Sequence, residues 1–341
     1  MKKDGSYSVV EISYIQYDEP LWNENGLFLA DLKREYWLDE KHKPIIHEIE
    51  KEGLIRDSVI FHDDHFYSFY NWGYSEDADG YFFEMIKGDK EKSVRTIIPF
   101  FIGGSPAVCD NRVFMHVYGD KKEEDARDPH NRYGMYELLG DNSLHKIVDV
   151  SHPVINGVQY LSNSIGSAHI CDSEESIMNI SGVENLDGSE LYFGLERWNV
   201  KNESYHLTLL RDASQNLVDG TVYTEVLPIF LENGAMYAYS ELGSLLKIDT
   251  DNGIVENLNE PLEPLARLGE YRHDVISTFQ GDYAYQLVRD KEYKEEPYVR
   301  VLDIRTGKEI EKVMYSGLNV IFHEISPSSM AVNPKYFNPK Y

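Results

Sequence analysis

The chain has 341 residues, 42% hydrophobic and 13% aromatic, a composition that folds rather than stays disordered. Its 59 acids against 33 bases give a formal charge of −26, a field that repels phosphate backbones and anionic lipid surfaces and makes nucleic acid an unsuitable partner. No apolar run reaches 18 residues, so no transmembrane span is expected. Met1–Ser6 carries two lysines with no apolar stretch behind them and does not read as a signal peptide. The chain as written therefore reads as cytoplasmic, with export after removal of a signal as the alternative.

Tyr7–Ile15 alternates like a sheet-edge strand. Pro20–Ala30 then opens a two-part unit, in which an apolar segment, a polar turn and a second segment with an apolar or aromatic centre follow one another. Tyr36–Ile45 completes it with a second hairpin. The pattern returns as Val59–Phe69 with Tyr81–Val94, as Ala107–Val117 with Met135–Ile147, and as His169–Met178 with His206–Leu217. It returns again as Pro228–Tyr239 with Leu245–Val255, and as Val275–Tyr285 with Val299–Ile310. Val320–Val332 is a partial seventh copy, with only Lys335–Tyr341 behind it. Asp251–Gly253 and Arg305–Gly307 place glycine where a hairpin requires a positive φ.

One repeat is therefore four antiparallel strands, A to D. Anchored on Phe28, Tyr67, Phe114, Ile177, Tyr237, Tyr283 and Met330, the spacings are 39, 47, 63, 60, 46 and 47 residues. Four strands in roughly 40–50 residues is the period of a propeller blade. The chain resembles the β-propeller superfamily over nearly its whole length. Lys247–Gly253 and Leu302–Ile310 look like the C–D hairpins of quinoprotein-like and YVTN-like repeats. The Trp-Asp signature of WD40 blades is absent. The resemblance implies one all-β domain over residues 1–341, a propeller of seven four-stranded blades (six being the alternative), with the N-terminal strand closing the ring.

Cys109 and Cys171 both fall in first segments, where small buried hydrophobes suit, and two cysteines argue neither a disulfide framework nor a cysteine metal site. Long B–C loops are expected at residues 71–80, 119–132, 182–204 and 289–297, on one face with the D–A loops. That face collects the candidate ligand-binding residues Arg56, Asp57, Trp72, His130, His169, Trp198, Arg272, His273 and Asp274. The arginines also suit a plainer role, salt bridges between neighbouring blades. Six histidines, His62, His65, His116, His169, His273 and His323, lie in or beside A and B strands, without the close spacing that marks a metal site. Glu76, Asp77 and Asp79 form a weak calcium candidate that lacks the bidentate glutamate of an EF-hand, and no other cofactor is expected.

No catalytic residue is assigned, because no nucleophile elbow, P-loop or dinucleotide fingerprint appears. The leading expectation is a monomeric, non-catalytic binding or scaffold protein presenting an acidic, aromatic-bearing face to a protein, peptide or glycan. The alternative is a glycosidase or lyase at the channel mouth, which requires His273, Asp274, Asp57 and His169 to converge around a pocket.

Overall fold

The structure is a computed structural model that describes residues 10–13, 21–23, 26–30, 34–38, 44–48, 55–62, 65–75, 80–89, 92–98, 101–118, 133–141, 143–149, 153–163, 169–172, 176–186, 188–220, 226–240, 242–259, 262, 272–292, 294–316 and 329–332. The described elements are all strands. After β1 (Val10–Ser13), a four-stranded sheet runs β2 (Leu21–Asn23), β3 (Gly26–Ala30), β4 (Arg34–Leu38) and β5 (Pro44–Glu48). The next is β6 (Ile55–His62), β7 (His65–Ser75), β8 (Gly80–Gly88) and β9 (Ser93–Ile98). The third is β10 (Phe101–Cys109), β11 (Arg112–Tyr118), β12 (Tyr133–Leu138) and β13 (Leu144–Asp149).

A six-stranded sheet follows. Its path is β14 (Val154–Ile155), β15 (Val158–Asn163), β17 (Ser176–Asn185), β18 (Leu191–Asn199) and β19 (Ser204–Leu209), with β16 (Ile170–Cys171) also pairing β17. Two more four-stranded sheets complete the series. They are β20 (Val226–Glu232) to β23 (Val255–Asn257), through β21 (Ala235–Ser240) and β22 (Leu245–Asp249), and β24 (His273–Gln280) to β27 (Glu309–Met314), through β25 (Tyr283–Asp290) and β26 (Tyr298–Asp303). Last comes β28 (Ser329–Val332), which pairs antiparallel with β1, Val10 facing Val332 and Ser13 facing Ser329.

Two compact units result: Met1–Leu54 with Glu241–Leu245 and Asn257–Tyr341, and Ile55–Ser240 with Leu246–Glu256. In the second, the alternation of a strand explains the core. Along β11, Val113, Met115 and Val117 point one way and join Tyr67, Phe69, Phe83 and Met85 of the preceding sheet. Phe114, between them, points the other way and joins Ile177 and Trp198 of the following sheet. A central strand is thus buried on both faces, and a cavity left by truncating Phe114 costs about 3–5 kcal/mol. In the first unit, Tyr285 and Leu287 of β25 pack with Val299, Val301 and Met330. The repeat anchors Tyr67, Phe114, Ile177, Tyr237 and Met330 are all buried.

Two expectations need correction. Seven four-stranded blades are not found: the described residues form five four-stranded sheets, the six-stranded sheet and the β1–β28 pair. The long 63-residue interval before Ile177 holds an added hairpin, β14–β15, whose second strand extends the sheet through Tyr160–Asn163 opposite Gly182–Asn185. Of the seventh copy only β28 is described, and Val320–His323 lies outside the described residues. The cysteines are also joined, as Cys109–Cys171, with Cα atoms 5.9 Å apart across 62 residues. Packing brings the end of β10 beside β16, a proximity that two isolated cysteines do not announce.

Candidate functional site

The expected loops are partly strands. Residues 182–204 contain the end of β17, a turn, all of β18 and a second tight turn. Residues 71–80 are mostly the ends of β7 and β8. At 182–204 the long-loop expectation fails because β17 and β18, buried on both faces, lose the apolar–polar alternation that reveals a half-buried strand. Residues 289–297 do leave the sheet as expected after Asp290, since β25 ends there and β26 begins at Tyr298. Residues 119–132, with His130, and Glu76, Asp77 and Asp79 lie outside the described residues.

Arg56, Asp57 and Trp72 belong to strands, not loops. Arg56 pairs with Tyr70 and Ser58 with Phe69, so Asp57 is the extra residue of a bulge. Trp72 is the extra residue of a second bulge, between Asn71 and Gly73 on β7. Both interruptions lie at the same end of the β6–β7–β8 ladder.

Arg272 immediately precedes β24, which begins with His273 and Asp274, and the charges of Arg272 and Asp274 are engaged within that sheet. Arg272 Nη2 donates to Asp290 Oδ2 at 3.2 Å and to Glu295 Oε1 at 2.7 Å. Asp290 also accepts the backbone N–H groups of Glu292, Lys294 and Glu295 at 2.9–3.1 Å. Arg272 and these amides hold its carboxyl well below the usual carboxylate range. Asp274 pairs with Arg289 and, at 3.3 Å, with Lys291. This arrangement staples the 291–297 loop to the strand ends, as salt bridges within one sheet rather than between neighbours.

His169 and Trp198 do come together, in a buried cluster of the second unit. The His116 ring lies 4.7 Å from His169 and 4.6 Å from Trp198, and Asn179 Nδ2 sits 3.5 Å from His169 Nε2. Trp198, expected on a loop, has no exposed surface because β18 carries it into the core. Burial, and then the neighbouring His169, hold the His116 pKa well below its usual value. On the same strand lies Glu196, also with no exposed surface. Burial pushes its carboxyl up to about 7, against the opposing hydrogen bond that Tyr205 Oη donates to Oε1 at 2.7 Å. Sequence reading passes over Glu196 because it assigns the strand to a loop. Among the described residues no three His, Cys, Asp or Glu side chains gather as a metal site.

A cavity of about 310 Å³ opens in the first unit, between Leu258–Asn259 and the β26–β27 turn. Arg300, Leu302, Lys308 and Glu309 line it. Gly307, at φ 67°, forms part of its wall, and a Cβ there would strike the Leu258 carbonyl, which is why only glycine fits this turn. A cationic residue amid the apolar run Val299–Leu302 is the sequence signal that marks Arg300 as an inward-facing charge.

The sequence model described as "YycP, beta-propeller domain" matches residues 1–333. No curated protein matches. Among solved structures, a prolyl endopeptidase is 10% identical with TM-score 0.50, covering 89% of this chain and 43% of its own. The Trypanosoma rangeli sialidase is 7% identical with TM-score 0.47, covering 91% and 54%. YCF48 bound to D1 peptide is 10% identical with TM-score 0.44, covering 98% and 86%. The chain spans about half the length of the sialidase and prolyl endopeptidase chains. At these identities the likeness concerns the fold alone.

Proposed function

The chain belongs to the YycP β-propeller family, and from that premise we propose that it is a non-catalytic binding or scaffold propeller for a protein, peptide or glycan. Fold alone does not decide this, since propellers host unrelated chemistries. The observation that carries the reading is the engagement of Arg272 and Asp274 by Asp290, Glu295, Arg289 and Lys291. The residues an enzyme would aim at substrate here hold a loop to a strand instead. In this reading residues 1–341 form one domain and the β1–β28 pair closes its ring. The Cys109–Cys171 disulfide favours an oxidising, extracytoplasmic setting over the cytosol.

One observation favours the second reading, a carbohydrate-active enzyme. Glu196 titrates near 7, where a general acid works best. Its complete burial weighs against that role.

Biolayer interferometry against basic peptides and neutral oligosaccharides tests the proposal. With a charge of −26, peptide binding should be saturable and weaken as salt rises. Absence of binding by any panel member at low salt, together with turnover of an oligosaccharide, would reverse the choice.

A further inference from the structure

Arg300 is a nearly buried cation, 6% exposed, whose hydrogen-bond acceptors are neutral. Its Nε donates to Gln286 Oε1 at 2.7 Å and its Nη2 to the Gly243 carbonyl at 3.0 Å. That carbonyl also accepts Gln286 Nε2 at 3.2 Å and Asn259 Nδ2 at 3.1 Å. The guanidinium is therefore fixed in place; the Glu309 carboxylate acts on it through space, but among the described residues no carboxylate hydrogen-bonds to it. A guanidinium has five N–H donors, and two are engaged. Burying a cation without a carboxylate in direct contact is costly, and a ligand that supplies one recovers part of that cost.

The cavity beside Arg300 is suited to such a ligand. Lys308 adds a second, exposed cation, Leu258 and Leu302 add apolar wall, and Glu309 contributes one carboxylate. One net positive charge on the lining suits a monoanion better than a dianion. The flat N–H fork of arginine matches a carboxylate two-pronged. The leucines favour an organic tail over bulk water.

We propose that this cavity binds a small monocarboxylate, its carboxylate on Arg300 and Lys308 and its short apolar tail against Leu258 and Leu302. This site is proposed for a small ligand and stands whether or not that reading holds.

The test measures the melting temperature of the full chain with sodium butyrate, sodium phosphate or sodium chloride, at matched ionic strength and pH. Butyrate should raise the melting temperature in a saturable way, above chloride and phosphate. Lys308→Glu should weaken the butyrate effect at least tenfold in concentration. The side chain is exposed, and the ligand-free melt of each variant is the baseline from which its butyrate shift is measured. Arg300→Gln should abolish the effect; if that variant does not fold, Lys308→Glu decides alone. A butyrate shift no larger than that of chloride, or an unaltered response in Lys308→Glu, would overturn the proposal. Stronger stabilisation by phosphate would overturn the assignment to a monocarboxylate.

Discussion

Glu196 and His116 give the fold two opposing pH dependences. Glu196 keeps its proton up to about 7 when folded, against an ordinary value of 4.5. Between those values the folded state holds a proton that the unfolded chain has lost, so this contribution to stability falls as pH rises, by about 3 kcal/mol in all. His116 runs the other way. Its folded pKa lies well below 6.5, so the unfolded chain takes up the proton first, and stability is lost as pH falls below 6.5. From pH 4.5 to 6.5 the two slopes offset each other. Glu196→Gln should remove one of them. Urea unfolding of the variant should show stability climbing from pH 4.5 to 6.5, and a gain over the parent chain at pH 8. Parallel pH profiles for the two proteins would mean that Glu196 does not titrate as argued.

At the level of strands and turns, the repeat was largely legible because hairpin turns carry their own chemistry. Gly234, Gly253, Gly281 and Gly307 all take positive φ, at turns between neighbouring strands. The end of β17 and all of β18 were hidden because burial on both faces mixes serine, asparagine, glutamate and apolar residues without a period of two. The disulfide was illegible for a different reason, since it depends on how neighbouring sheets pack. Closing a loop of 62 residues restricts the unfolded chain and stabilises the fold by about 4 kcal/mol in the chain-entropy treatment. Reduction, or Cys109→Ser with Cys171→Ser, should move the urea midpoint down accordingly. A midpoint insensitive to reductant, with two free thiols titrated after denaturation without reductant, would show that the bond does not form.

For the molecule as a whole, the all-β propeller superfamily and the four-stranded unit were within reach of the sequence, and the particular family and the number of blades were not. The added β14–β15 hairpin lengthens one interval without repeating the anchor pattern, so counting anchors overstates the regular sheets. Of the candidate ligand residues, His169 and Trp198 meet in a core, while Arg272 and Asp274 serve their own sheet. Arg300 escaped notice because its meaning depends on Gly243 and Gln286, which approach it only in the fold. The proposed binding role rests on Arg272 and Asp274 being engaged in structure, and the proposed small-ligand site on the cavity beside Arg300. Native mass spectrometry tests this most directly. The protein is mixed with basic peptides and oligosaccharides and recorded before and after overnight incubation. The account predicts a complex whose ligand mass is the same at both times; a shortened oligosaccharide, or no complex with any panel member, contradicts it.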